Sequence, residues 1–149
     1  MSNEEWLRRP VAWIMSTELV TVSAETRVAE AIGAVLEASI GGIPVVDEDN
    51  VLVGIVTKSA LLGASRSGHP WTTSVAQIMT PVVSMLPKNA SLANAAAVMV
   101  MDGTHRVAVV DDAGHLLGVV TSLDLVAELA RADGYPVPAV ARPQAHAIA

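Results

Sequence analysis

The sequence contains no cysteine and no phenylalanine, has a single tyrosine, and lacks any apolar run near the roughly 20 residues that a membrane-spanning helix requires. Without cysteine there can be no disulfide, no thiolate-held zinc or iron–sulfur cluster and no thiol nucleophile. The chain therefore suits a reducing compartment, and a cytoplasmic location is expected, with no membrane partner. Basic residues are also scarce. Nine Lys and Arg against 15 Asp and Glu give a net charge of −6, whereas docking on nucleic-acid phosphates needs a basic face. Aromatic platforms on which single strands could stack are missing too, so no nucleic-acid partner is expected. The acidic start Met1-Ser2-Asn3-Glu4-Glu5 has neither the basic opening nor the apolar stretch of a secretion signal. What is plentiful is aliphatic material. Hydrophobic residues make up 52% of the 149 positions and the mean hydropathy is +0.47, enough to fill one core and to exclude disorder as the main state.

The chain repeats itself. Ile14-Met15 matches Ile78-Met79, Val45-Val46-Asp47 matches Val109-Val110-Asp111, and Gly54-x-Val56-Thr57 matches Gly118-x-Val120-Thr121, each pair 64 residues apart. Residues 12–62 laid on 76–126 give 13 identities in 51 ungapped positions, gathered at turns and strand cores. The period is too long and the copies too few for a solenoid, so a duplicated unit packed as a pseudo-symmetric pair is the better reading.

Each copy carries the same order of signals. Val20-Thr21-Val22 and Val83-Ser84-Met85 read as short strands. Val28, Ala31, Ile32, Val35 and Leu36, and likewise Leu92, Ala95, Ala96, Met99 and Val100, have the spacing of amphipathic helices. Apolar runs at 43–46 and 51–57, and at 107–110 and 116–121, flank turn-forming acidic segments and predict antiparallel hairpins. Closing helices follow at about 58–64 and 122–132. The expected fold is of the mixed α/β (α+β) class, with two β-α-β-β-α repeats packed as one module. The organisation reads as an N-terminal segment (1–11), repeat 1 (12–64), a linker (65–74) rich in small, polar and helix-breaking residues, repeat 2 (75–133), and an extended or disordered tail (134–149). Residues 3–9 suit a short helix docking through Trp6 and Leu7, onto the module or onto a partner.

A unit that runs Ile-Met-Ser/Thr, strand, helix, Pro-Val-Val-Asp, turn, Leu-x-Gly-Ile/Val-Val-Thr, helix resembles the cystathionine β-synthase-type (CBS) domain, and two in tandem resemble a Bateman module. The residues that carry the likeness are Ile14-Met15-Ser16, Ile43-Pro44-Val45-Val46-Asp47 and Leu52-Val53-Gly54-Ile55-Val56-Thr57, then Ile78-Met79-Thr80-Pro81, Val107 to Asp111 and Leu116 to Asp124. The resemblance implies a regulatory module, not an enzyme. It implies an adenosine-containing ligand such as AMP, ADP or ATP in clefts between the repeats, a homodimer built through the helices, and an effector protein that reads occupancy. It further implies that each cleft joins the helix start of one repeat to the first strand and pre-proline segment of the other. One cleft then combines Thr121, Ser122 and Asp124 with Val20, Thr21, Val22, Ile40, Gly41, Gly42, Ile43 and Pro44. The other combines Thr57 and Lys58 with Ser84, Met85, His105 and Arg106.

The residues have chemistry of their own. Gly118-x-x-Thr121-x-x-Asp124 puts a hydroxyl and a carboxylate at a helix start, where unpaired N–H groups favour phosphate and two acceptor oxygens suit the vicinal hydroxyls of ribose. The same Thr-x-x-Asp pattern is a capping box, and the two roles are compatible. Gly41-Gly42 leaves backbone open to an adenine edge, or stops a helix. The first copy departs from the pattern, with Ala60 where the acid would stand, so its cleft is expected to hold cations and no acid. Arg106, and after it His105, stand where members of the resembled family place phosphate-binding bases, and Arg can fork onto a phosphate; an exposed strand-edge Arg has the same look. The histidines share no metal-ligand spacing, and no nucleophile elbow or P-loop occurs, so neither a metal nor a catalytic cofactor is expected. The alternative function is a ligand-free dimerisation or scaffold module with degenerate sites.

Overall fold

The computed structural model describes residues 3–38, 41–81 and 83–137. The elements run α1 (Asn3–Leu7), α2 (Val28–Ala38), β1 (Gly42–Val46), β2 (Leu52–Thr57), α3 (Lys58–Arg66), β3 (Met85–Leu86), α4 (Leu92–Asp102), β4 (Arg106–Val110), β5 (Leu116–Thr121) and α5 (Ser122–Ala132), with 3-10 turns at Val11–Trp13 and Val75–Gln77. Both hairpins and all four long helices lie where periodicity puts them. The expected first strands are reduced. In repeat 1 only Val22 pairs, in parallel, with Val45, and in repeat 2 the strand falls at Met85–Leu86, parallel to Ala108 and Val109. Helix α3 continues two residues beyond the expected 58–64. Of the tail, only residues 134–137 fall within the described part.

Local chemistry fixes the helix ends. Ser91 begins α4 by accepting the Asn94 N–H, and Gly103, at φ +64°, ends it in a left-handed turn that a side chain would strain. Each hairpin bends at the same place, with a register shift at Val45/Val46 and at Val109/Val110. Asp47 and Asp111 shape the turns by accepting N–H groups two and four residues on.

The repeats exchange their opening segments. Val11 lies in the core of repeat 2 with Leu92, Met99, Val107 and Val120, whereas Val75 lies in the core of repeat 1 with Val28, Val35, Ile43 and Val56. Several of the ties recur 64 residues apart. Pro10 pairs with Ser91 as Ser74 pairs with Arg27, and Ser16 with Val119 as Thr80 with Ile55. This exchange explains two of the sequence identities. A Cβ on Gly118 would stand 2.7 Å from Met15 Sδ and 2.8 Å from the Ser16 carbonyl oxygen, and one on Gly54 would stand 2.9 Å from Met79 Sδ and 2.8 Å from the Thr80 oxygen. Each Ile-Met segment thus lies across a notch that only glycine leaves open.

A third apolar cluster joins the repeats. Ala108, Leu116 and Val119 pack against Leu19, Val46, Leu52, Ile55 and Val83, and Val51 pairs with His115 between the two hairpin turns. Helix α1 docks as expected through Trp6, 8% exposed in the core of repeat 2. It is held there by an Arg9–Glu128 ion pair at 3.7 Å, while Arg9 stacks 4.0 Å over Trp13.

Candidate functional site

The two helix starts that follow the hairpins have one backbone geometry and different chemistry. The Lys58 N–H donates to the Gly41 carbonyl and the Ser122 N–H to the His105 carbonyl, both at 2.8 Å. Thr57 caps α3 by accepting the Ala60 N–H at 3.1 Å, and Thr121 caps α5 by accepting the Asp124 N–H at 3.2 Å. Only in α5 is the box closed: the Thr121 N–H donates to Asp124 Oδ2 at 2.8 Å. Thr121 is 3% and Asp124 5% exposed. Burying a polar group is costly without hydrogen bonds, and the cap supplies one to this carboxyl.

Of the residues expected to face Asp124, Gly42, Ile43 and Pro44 are buried on β1, while Val20 and Val22 are half-buried and Thr21 is exposed. Val22 lies alongside this strand, its N–H donating to the Pro44 carbonyl and its carbonyl accepting from Val46. Ile40 lies outside the described residues. The first strand and the pre-proline segment of repeat 1 are thereby adjacent.

The other cleft is open, with a volume of about 440 Å³ lined by Ile55, Thr57, Thr80, Val83, Ser84, Asp102, Thr104 and Arg106. It brings together Thr57, Ser84 and Arg106 of the expected set. Lys58, Met85 and His105 are exposed and are not among its lining residues; the backbone of His105 is occupied at the start of α5. The expectation of a cleft without an acid needs correcting, because Asp102, the last residue of α4, lines it and accepts a 2.7 Å hydrogen bond from Ser84 Oγ. Asp102 occupies the position of Ala38 in the first copy, and that substitution between otherwise matched helices was the available signal. Arg106 is half-buried, and burial pushes its pKa down from the usual arginine value, though a guanidinium remains charged. Among the described residues no three His, Asp or Glu side chains gather as a metal site, and no helix is long and apolar enough to cross a membrane.

The CBS domain family model matches twice, at residues 11–67 and 75–131. The structure is similar to that of CBSX2 in complex with AMP, with a TM-score of 0.77 and 26% identity over 84% of this chain and 98% of that one. It is also similar to the CBS domain pair of protein MJ0100 in complex with 5′-methylthioadenosine and S-adenosyl-L-methionine, with a TM-score of 0.71 and 28% identity over 84% and 95%. Among curated proteins, inosine-5′-monophosphate dehydrogenase of Thermoplasma acidophilum is 31% identical over 113 residues, or 76% of this chain. The chain spans only 22% of that enzyme's length, so the likeness concerns a part of it. With exchanged opening segments, hairpins related by a 64-residue shift and two family matches covering both copies, the chain belongs to the CBS domain family and carries the domain as a tandem pair.

Proposed function

We propose that this chain is a regulatory module that binds an adenosine-containing ligand, AMP, ADP, ATP or a related adenosyl compound, in the cleft bearing Thr121 and Asp124. The observation that carries the reading is the buried Asp124 carboxylate at the start of α5, 5% exposed. A carboxylate has about four acceptor positions, so capping the helix and holding ribose hydroxyls are compatible tasks. The adenosyl ligands of CBSX2 and of the MJ0100 pair support the ligand class. Occupancy would act by favouring one shape of the module over another, which demands a ligand that binds the two shapes unequally.

The effector side of the reading is a homodimer, about twice 15.4 kDa, that passes occupancy to a partner protein. Its support is an exposed apolar set on the helices. Leu36 and its repeat mate Val100 are 70% and 83% exposed, and Leu62 and its mate Val126 are 55% and 60% exposed. Repeat 2 adds Met101, Leu123 and Leu129. A monomer mass by light scattering, with and without adenine nucleotide, would overturn the dimer.

The ligand is tested by melting the protein with AMP, ATP, NAD and S-adenosylmethionine, since a ligand at 100 times its Kd adds about 2.7 kcal/mol. Calorimetry then compares variants. Asp124→Ala is expected to weaken binding roughly ten- to hundredfold, the worth of about 1.5–3 kcal/mol for a charged hydrogen bond, with Lys58→Ala far milder. Unchanged affinity in a folded Asp124→Ala protein would end the ribose assignment. Lost stability with no ligand response from the wild type would favour the scaffold reading, with Asp124 as a cap alone.

A further inference from the structure

The two repeats close their helix pairs differently. In repeat 1, α2 and α3 pack directly on one another, whereas in repeat 2 α4 and α5 approach along less of their length and α1 touches both. Trp6 of α1 belongs to the buried cluster to which α4 gives Leu92, Ala95 and Met99 and α5 gives Leu125. Their mates Val28, Ala31, Val35 and Leu61 are buried together in repeat 1, where Pro70 stands at the position of Trp6 and Ile32 at that of Ala96. One helix pair is thus present in the molecule in two arrangements, with a wedge and without.

The wedge is lightly held. A helix of five residues is far below the length that persists in water by itself, so α1 depends on its seat. In that seat Trp6 Nε1 is buried and meets no hydrogen-bond acceptor among the described residues, a cost that withdrawal into water removes. Main-chain bonds to repeat 2 begin at Arg9, whose carbonyl accepts the Leu92 N–H at 2.9 Å, and continue at Val11, whose N–H donates to the Ala90 carbonyl at 2.7 Å. Ahead of Arg9 the hold comes from side chains, with Trp6 and Leu7 in the cluster. The α4 side of the seat contains Ala95 and Ala96, small residues that leave α5 room to close once the indole has gone.

We propose that α1 is a removable wedge. Seated, it holds α4 and α5 apart; withdrawn about Arg8, it lets α5 close on α4 as α3 does on α2, and α5 carries with it the Thr121 and Asp124 at its start. The device needs no ligand, so it stands or falls apart from the adenosyl reading. The test uses the full chain, whose lack of cysteine lets introduced pairs take spin labels alone, diluted with unlabelled protein so that only distances within one copy are read. Asn94→Cys with Asp133→Cys reports on α4 and α5, and Glu30→Cys with Arg66→Cys reports on α2 and α3; all four positions are exposed. Trp6→Asp places in the seat a charge that an apolar core rejects, which drives α1 out. The label distance in repeat 2 should then shorten, as α4 and α5 move toward the roughly 8–10 Å axial separation of packed helices, while that in repeat 1 stays as it was. Leu7→Ala is the milder probe. With Trp13→Phe and Trp71→Phe leaving Trp6 as the sole tryptophan, it should raise acrylamide quenching of the Trp6 emission. The proposal is overturned if Trp6→Asp leaves the repeat 2 distance unchanged or longer, shifts both distances alike or abolishes folding, or if Leu7→Ala leaves Trp6 as protected as before.

Discussion

The two repeats share residues at many packed positions and differ at several positions expected at the clefts. Gly54 and Gly118, Met15 and Met79, Val45 and Val109, and Val56 and Val120 are identical across the 64-residue shift; the valines match within each half, and each methionine lies against the glycine of the other half. At the cleft positions the same shift exchanges Val20 for Ser84, Ala38 for Asp102, Gly42 for Arg106 and Ala60 for Asp124. Packing at native density constrains volume and polarity, so buried mates that differ, such as Val28 and Leu92 or Ile43 and Val107, remain apolar. Cleft-facing positions carry no such constraint, and one backbone therefore presents two different surfaces to ligands.

The sharpest test of that contrast lies outside the clefts, in the segments that precede each exchanged turn. Trp6 is 8% exposed and Trp71, in the linker, 73%. Trp6→Ala should cost about 3–5 kcal/mol, the usual figure for emptying a buried aromatic site, whereas Trp71→Ala should stay within about 0.5 kcal/mol; urea melts measure both. Next come the glycine notches. Gly54→Ala and Gly118→Ala should each destabilise by about 1–3 kcal/mol through overpacking, and should do so equally. A neutral Gly118→Ala would show that Met15 can withdraw without cost.

A smaller effect separates the helix starts. Ala60→Asp should close the capping box on α3 and raise stability by about 0.5–1 kcal/mol, read as a higher melting temperature. The smallest effect concerns the turns. The His115 backbone N–H, with its ring and the Ala113 N–H adding to it, holds the Asp111 carboxyl below the usual aspartate range. Position 51, the mate of His115, is a valine without an imidazole. Because the folded pKa is the lower one, the contribution of Asp111 is complete above the unfolded value of about 3.9 and is lost as pH falls through the folded value. NMR titration should place Asp111 below that reference, and His115→Ala, which removes the ring but keeps the backbone N–H, should raise it only in part.

Much of this architecture was legible because it is local. Helix periods and turn residues are short-range patterns, the shift of 64 shows them a second time, and together they place α2, α4, α5 and both hairpins. The first strands were read as longer than they are, since β-branched triplets such as Val20-Thr21-Val22 record propensity, while pairing depends on a neighbouring strand. Thr121 and Asp124 could be singled out because a capping box spans four residues. Asp102 escaped notice because it meets Ser84 across 18 positions of chain. The cross-repeat seats of Met15 and Met79 lay further from view still, as nothing near Met15 in sequence announces Gly118.

The exchange of opening segments has a consequence for how the chain is made. As the polypeptide emerges, the core of repeat 1 still awaits Val75, Ile78 and Met79, which belong to the next stretch to appear. Trp6 and Val11 leave the ribosome before Leu92, Val107, Val120 and Leu125, the residues among which they are seated. Contacts of such sequence separation form slowly, so Trp6 and Val11 wait for partners that are translated after them. Each half thus completes its core only with a segment of the other, and the two are tied together in reaching their final packing.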